Sequence, residues 1–197
     1  MSYIILAILF LLSGFFMKYS DDLFDVNDDV KFASVFGVLC AITSAAATVY
    51  SVEAAYIFIA ILIGNLIALK VDGIHHIITL LLFVLICLLF GIPELSLVVL
   101  LICILAALGD EVGHELISKF TENRFLNLFF EYRCVMKVVI LLLAVCGVFS
   151  FWIFLCFISL FVIKLLLSIL FLFKDLCRLG SHPLFFFVCE CKQISHN

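Results

Sequence analysis

Asp21-Asp22-Leu23-Phe24-Asp25-Val26-Asn27-Asp28-Asp29 separates two long apolar runs, residues 3–17 and 32–50. Five carboxylates in nine residues, set between segments of that hydropathy, mark a polar turn at the edge of a lipid phase. The flanking runs are therefore read as membrane helices. Asp22, Asp25 and Asp29 fall at i, i+3 and i+7, so one continuous helix would stack them on a single face. Unpaired carboxylates so placed repel one another, and an oxygen-only set of this kind suits Mg²⁺ or Ca²⁺.

Composition leads to the same class. The chain has 197 residues, 67% of them hydrophobic and 13% charged, with a mean hydropathy of +1.39. Soluble domains hold about 45–50% apolar and about 25% charged residues, so lipid is the solvent for most of this chain. The fold class is all-α, a polytopic helical bundle in the cell membrane. Its partners are membrane lipids, not nucleic acid. Nine cysteines lie mostly within apolar runs and show no zinc-knuckle or disulfide spacing. Residues 3–17 lack a basic leader and a small-residue cleavage site, so they read as a retained first helix.

Crossing the hydrocarbon core takes roughly 20 apolar residues. Seven spans are expected, near 3–17, 32–50, 54–69, 74–90, 95–108, 125–147 and 151–173, with a cytoplasmic tail over 174–197. The long run 138–173 is divided at Gly147-Val148-Phe149-Ser150. With the N-terminus outside, ten of the eleven basic residues fall inside, in inner loops, the tail or, for Arg133 and Lys137, the inner helix entry, and Lys164 lies within the last span. The outer loops carry none, which is the positive-inside pattern. The C-terminus is then inside. Of fifteen acidic residues only Glu53 and Glu94 face outward. The second span is rich in small residues (Ala41, Thr43, Ser44, Ala45, Ala46, Ala47) and is placed centrally, since small side chains let helices approach in lipid.

Three inner stretches concentrate the chemistry. They are the Asp cluster, Lys70-Val71-Asp72-Gly73-Ile74-His75-His76, and Gly109-Asp110-Glu111-Val112-Gly113-His114-Glu115. Ionisable groups beside a span are costly and usually functional. Asp22, Asp25, Asp29, Asp72, Asp110 and Glu111 are the expected ligands of a shared Mg²⁺ site, with His114 as a proton carrier. Arg133 and Lys137, four residues apart near the inner boundary, can snorkel to lipid phosphates or grip a phosphorylated substrate.

Asp21-Asp22-x-x-Asp25-x-x-x-Asp29 resembles the first aspartate-rich motif, (N/D)DxxDxxxD, of UbiA-type intramembrane prenyltransferases. The resemblance implies a Mg²⁺-dependent enzyme that holds an isoprenoid diphosphate between two cytoplasmic Asp motifs separated by four spans. Four expected spans separate Asp29 from Asp110. The second motif of that family is DxxxD, whereas here Asp110 meets His114 and Glu111 meets Glu115. The Lys/Arg-Pro segment after the first motif is missing, and seven spans stand in place of nine. Two other readings are open. Asp72-x-x-His75 and Glu111-x-x-His114 have the acid–His spacing of dimetal helix bundles. A transport or structural role needs no metal at all, and for transport Lys164 is the one ionisable group deep in a span.

Overall fold

The computed structural model describes residues 3–27, 29–69, 71, 73–120 and 123–180. Asp28, Lys70, Asp72 and the tail from 181 onward lie outside the described residues. The described chain is helical throughout, with no strand. Eight helices follow one another: α1 (Tyr3–Asn27), α2 (Val30–Tyr50), α3 (Val52–Ile67), α4 (Ile74–Phe90), α5 (Leu97–Phe120), α6 (Arg124–Glu131), α7 (Cys134–Val145) and α8 (Phe151–Gly180). Three stretches, Tyr3–Asp25, Val30–Tyr50 and Leu97–Ile117, are long and apolar enough to cross a membrane. The outer faces agree with that solvent. Leu88, Leu89 and Phe90 of α4 and Leu105 of α5 are largely exposed, an arrangement that water would penalise and lipid would not.

Contacts close a ring in the order α1, α2, α3, α5, α7, α8 and back to α1, with α4 seated on α2 and α6 against α5 and α7. Small side chains set the closeness of the crossings. The buried face of α2 is Ala33, Gly37, Cys40, Ala41, Ser44, Ala45, Ala47 and Thr48, and α2 touches α1, α3 and α4. Where α3 crosses α5, a Cβ on Gly64 would lie 2.9 Å from Ala107 Cβ and 3.2 Å from the Leu108 backbone nitrogen. Lipid offers helices no hydrophobic reason to associate, so this intimacy of packing is what joins them.

Short connections are held by side-chain caps. Asp29 accepts from Phe32 N at 3.2 Å to start α2, Ser51 from Ala54 N at 3.3 Å to start α3, and Asn123 from Phe125 N at 3.0 Å to start α6. The α2–α3, α4–α5 and α7–α8 connections meet at one end of the bundle. There Glu53 accepts from Ser150 N and from Ser150 Oγ, Tyr56 Oη accepts from Ser96 N, and the Tyr56 and Phe149 rings stack. The α1–α2, α3–α4 and α5–α7 connections lie at the other end.

Four boundaries depart from expectation, one being α8, which runs on to Gly180 past the expected end of the last span at 173. Helix α1 runs on to Asn27 and α5 to Phe120, well past their apolar portions: neither polar stretch holds a proline, and α5 continues through Gly109 and Gly113 in spite of the cost of glycine in a helix. Asp22 and Asp25 therefore share a helix as expected, whereas Asp29 lies beyond its end as the cap of α2. The expected span 125–147 is two helices, parted at Arg133, whose φ of 50° is left-handed. Twelve residues of α7 rise only about 18 Å, short of the roughly 30 Å hydrocarbon core. The chain does divide between Cys146 and Ser150, where α7 ends and α8 begins.

Candidate functional site

A cavity of about 380 Å³ opens inside the bundle, lined by residues from α1, α2, α3, α4, α5, α7 and α8. Its polar lining includes Asp21, Asn65, His76, Asp110, Glu111 and Arg133. Each comes from the end of the bundle where the α1–α2, α3–α4 and α5–α7 connections lie. Deeper in, Phe58, Leu62, Phe83, Phe157 and Leu160 make an apolar wall, relieved by Ser13, Cys40 and Ser44. All three polar stretches singled out in the sequence thus contribute to one cavity.

The residues at its polar end do different work. Asp110 is 3% exposed, and both its oxygens accept backbone N–H bonds, from Val135 at 2.8 Å and Met136 at 2.8 Å. Those amides belong to the first turn of α7, whose own N-cap, Arg133, supplies no side-chain cap. An aspartate twenty-five residues upstream therefore caps α7, meeting donors that a helix start always leaves open. Glu111, also 3% exposed, forms a fork with Arg133: Oε1 lies 2.5 Å from Nη1, and Oε2 accepts from Nη2 at 3.1 Å. This pair fixes the left-handed residue between α6 and α7.

At α1 and α4 the arrangement differs. Asp21 Oδ1 lies 3.8 Å from His75 Nε2 and 3.7 Å from His76 Nε2. His75 is 2% exposed, its ring packed on Phe24 (centroids 4.5 Å apart) and on His76 (4.0 Å). The first turn of α4 folds the His75 ring back over Gly73, where a Cβ would sit 2.4 Å from Cε1. Asp21, His75 and His76 are the one group of three metal-capable side chains, among the described residues, whose ligand atoms all lie within 4.8 Å of one another.

None of the expected Mg²⁺ ligands belongs to that group. Asp22 pairs with Lys18 at 2.7 Å, Asp25 is exposed, Asp29 caps α2, Asp110 caps α7 and Glu111 holds Arg133. Asp72 lies outside the described residues. His114 is exposed on α5. Lys137 has its Nζ 4.0 Å from the centroid of the Phe161 ring and donates to the Tyr132 carbonyl. Of the two expected substrate cations, only Arg133 lines the cavity.

Asp21 had a legible signal. Ser13, Met17 and Asp21 recur every four residues along α1 and all line the cavity. The inward stripe of an apolar helix thus continues unchanged into the acidic stretch. Spacing among the aspartates themselves does not single out Asp21, since it and Asp22 both share a face with Asp25. Compared with known protein families, with curated proteins and with solved structures, the chain matches none. Fold and site together define a class, a helical membrane protein with a central cavity that is polar at one end.

Proposed function

We propose that the chain is a seven-span membrane protein, N-terminus outside and C-terminus inside, that takes an amphiphile with a phosphate-bearing head into its cavity from the cytoplasmic side. In this reading α6 and α7 together make the sixth span, bent at Arg133. The observation that carries the proposal is the polarity of the cavity. Its apolar wall would accept a lipid tail, while its charged end would meet a head group at the depth where phosphates lie. The positive-inside distribution supports the orientation.

Isoprenoid diphosphates are the ligand class that the aspartate-rich resemblance brings to this reading. The guanidinium of Arg133 carries five N–H donors in a rigid fork, so it can hold Glu111 and still offer donors to a phosphate oxygen. Three carboxylates line the cavity against this one guanidinium. A diphosphate would therefore enter with a divalent cation to balance it. In an enzymatic form of the reading, the bond from the allylic carbon to the diphosphate oxygen breaks with its electron pair leaving on the diphosphate. A nucleophilic acceptor lipid forms the new bond to that carbon, and its proton passes to the released diphosphate. Arg133 steadies the departing charge, and Phe83 and Phe157 keep water from the carbon.

Radiolabelled prenyl diphosphate binding to the purified chain in lipid nanodiscs, with release of diphosphate followed in the same samples, tests this. Saturable binding is expected. It should weaken roughly ten- to hundredfold when Glu111→Gln and Arg133→Gln are combined, a pairing that leaves no lone buried charge. An absence of saturable binding by the wild-type chain would return it to a transport or structural role.

A further inference from the structure

We propose that Asp21, His75 and His76 form a binding site for one divalent transition ion of the zinc type, with an open coordination position facing the cavity. Donor chemistry sets the class of ion. Two imidazoles and one carboxylate suit Zn²⁺ and its first-row neighbours, whereas Mg²⁺ and Ca²⁺ prefer all-oxygen shells. Geometry agrees. Bonds of about 2.0–2.2 Å to an ion between Asp21 Oδ1 and either Nε2 would subtend roughly 115–145° across the observed 3.8 and 3.7 Å separations. Shifts of a few tenths of an ångström on these two edges bring the angles they subtend toward tetrahedral, and all three ligand atoms lie within 4.8 Å of one another.

The surroundings resemble a built site more than a chance meeting of side chains. His75 is fully buried, clasped between Phe24 and His76. The backbone beneath it is tied in turn: the His75 carbonyl accepts from Thr79 Oγ1 at 2.8 Å, and α2 approaches through Gly37, where a Cβ would meet that carbonyl oxygen at 3.1 Å. Asp22, the adjacent carboxylate, is held by Lys18. Asp21 and His76 line the cavity, so an ion on these three ligands would turn its fourth position toward it. Three protein ligands with one open position is the arrangement of catalytic zinc sites, not of structural ones. The ion would also add positive charge to a cavity that Arg133 lines.

The site stands on its own ligands and does not require the amphiphile, so it is tested without one. The full chain, purified on a histidine-free tag and stripped of metal, is titrated with Zn²⁺ against a chromophoric chelator. Bound metal is counted by mass spectrometry, and Co²⁺ substitution reports the ligand field. One ion per chain is expected, undisturbed by millimolar Mg²⁺, with the visible bands of a four-coordinate Co²⁺ site. Outer-shell changes around metal sites already weaken binding ten- to hundredfold. Removing a ligand through Asp21→Asn or His76→Gln, both at partly exposed positions, should therefore weaken it by at least about a hundredfold, with elution profile and apo-protein melting retained. His114→Gln, at an exposed histidine on α5, should leave affinity unchanged. No stoichiometric binding, displacement by Mg²⁺, or equal affinity in the Asp21 and His76 variants would overturn the proposal. Prenyl diphosphate binding that fails while Zn²⁺ binds would count against the amphiphile reading alone.

Discussion

Asp110 and Glu111 show how one residue type can serve two ends. Adjacent acids buried in an apolar helix suggest a ligand pair, yet Asp110 spends both oxygens on the first amides of α7 and Glu111 binds the guanidinium of Arg133. Neither partner is near in sequence, so no local spacing could reveal them. The two roles make different predictions. Asp110→Ala leaves two buried N–H groups without acceptors, and we expect it to lower unfolding free energy in detergent by about 2–4 kcal/mol. Asp110→Asn, which keeps one acceptor oxygen, should lose roughly half as much. Both losses should be the same with chelator as with millimolar Mg²⁺, since the cap needs no ion; a deficit that Mg²⁺ erases would instead make Asp110 a ligand. Glu111 and Arg133 should be coupled. A double-mutant cycle with glutamine at each position is expected to return about 1–2 kcal/mol, and additive effects would mean that the fork contributes nothing.

At the scale of elements, hydropathy located the helices but not their ends. Residues 18–27 and 109–120 are polar, so hydropathy ends the apolar runs before them, while α1 and α5 continue through them as helix. The break at Arg133 has no glycine or proline to announce it. Asp110 makes it possible by capping α7 from another helix, a tertiary device that a one-dimensional reading cannot contain. The division after Val145 was legible because Gly147 interrupts the apolar run, and its φ of 74° is one that glycine adopts without strain. Helix packing was legible in kind, from the small residues of α2, but not in which helices pair. The α3–α5 crossing offers the sharpest test. Gly64→Val forces a side chain against Ala107 and the backbone of Leu108, and overpacking of this sort costs about 1–3 kcal/mol. Thermal melting in detergent should fall accordingly, and an unchanged melt would mean the two helices are not in contact there.

For the molecule as a whole, convergence follows from alternation. Antiparallel helices with short connections return every second loop to the same end, so the stretches near residues 21, 75 and 110 meet although spread over half the chain. Which residues from each stretch face inward was less legible: the spacing of Asp22, Asp25 and Asp29 describes the acidic cluster by itself, whereas the phase of α1 from Ser13 and Met17 selects Asp21. Orientation is open to direct assay. On a cysteine-depleted chain, a cysteine placed at position 23 or 112 should react only with a membrane-permeant thiol reagent in intact cells, and one at 52 or 92 with an impermeant one. Impermeant labelling at 23 would invert the topology and turn the cavity's polar end outward.

The proposed function makes the cavity the place where an amphiphile binds. A prenyl diphosphate carrying a diazirine near the end of its tail, photolysed with the chain in nanodiscs and followed by peptide mapping, tests that directly. Cross-links should fall on Phe58, Leu62, Phe83 or Phe157, which wall the cavity, and should vanish when unlabelled prenyl diphosphate is in excess. Labelling confined to the lipid-facing Leu88, Leu89, Phe90 and Leu105, or insensitive to competitor, would contradict it.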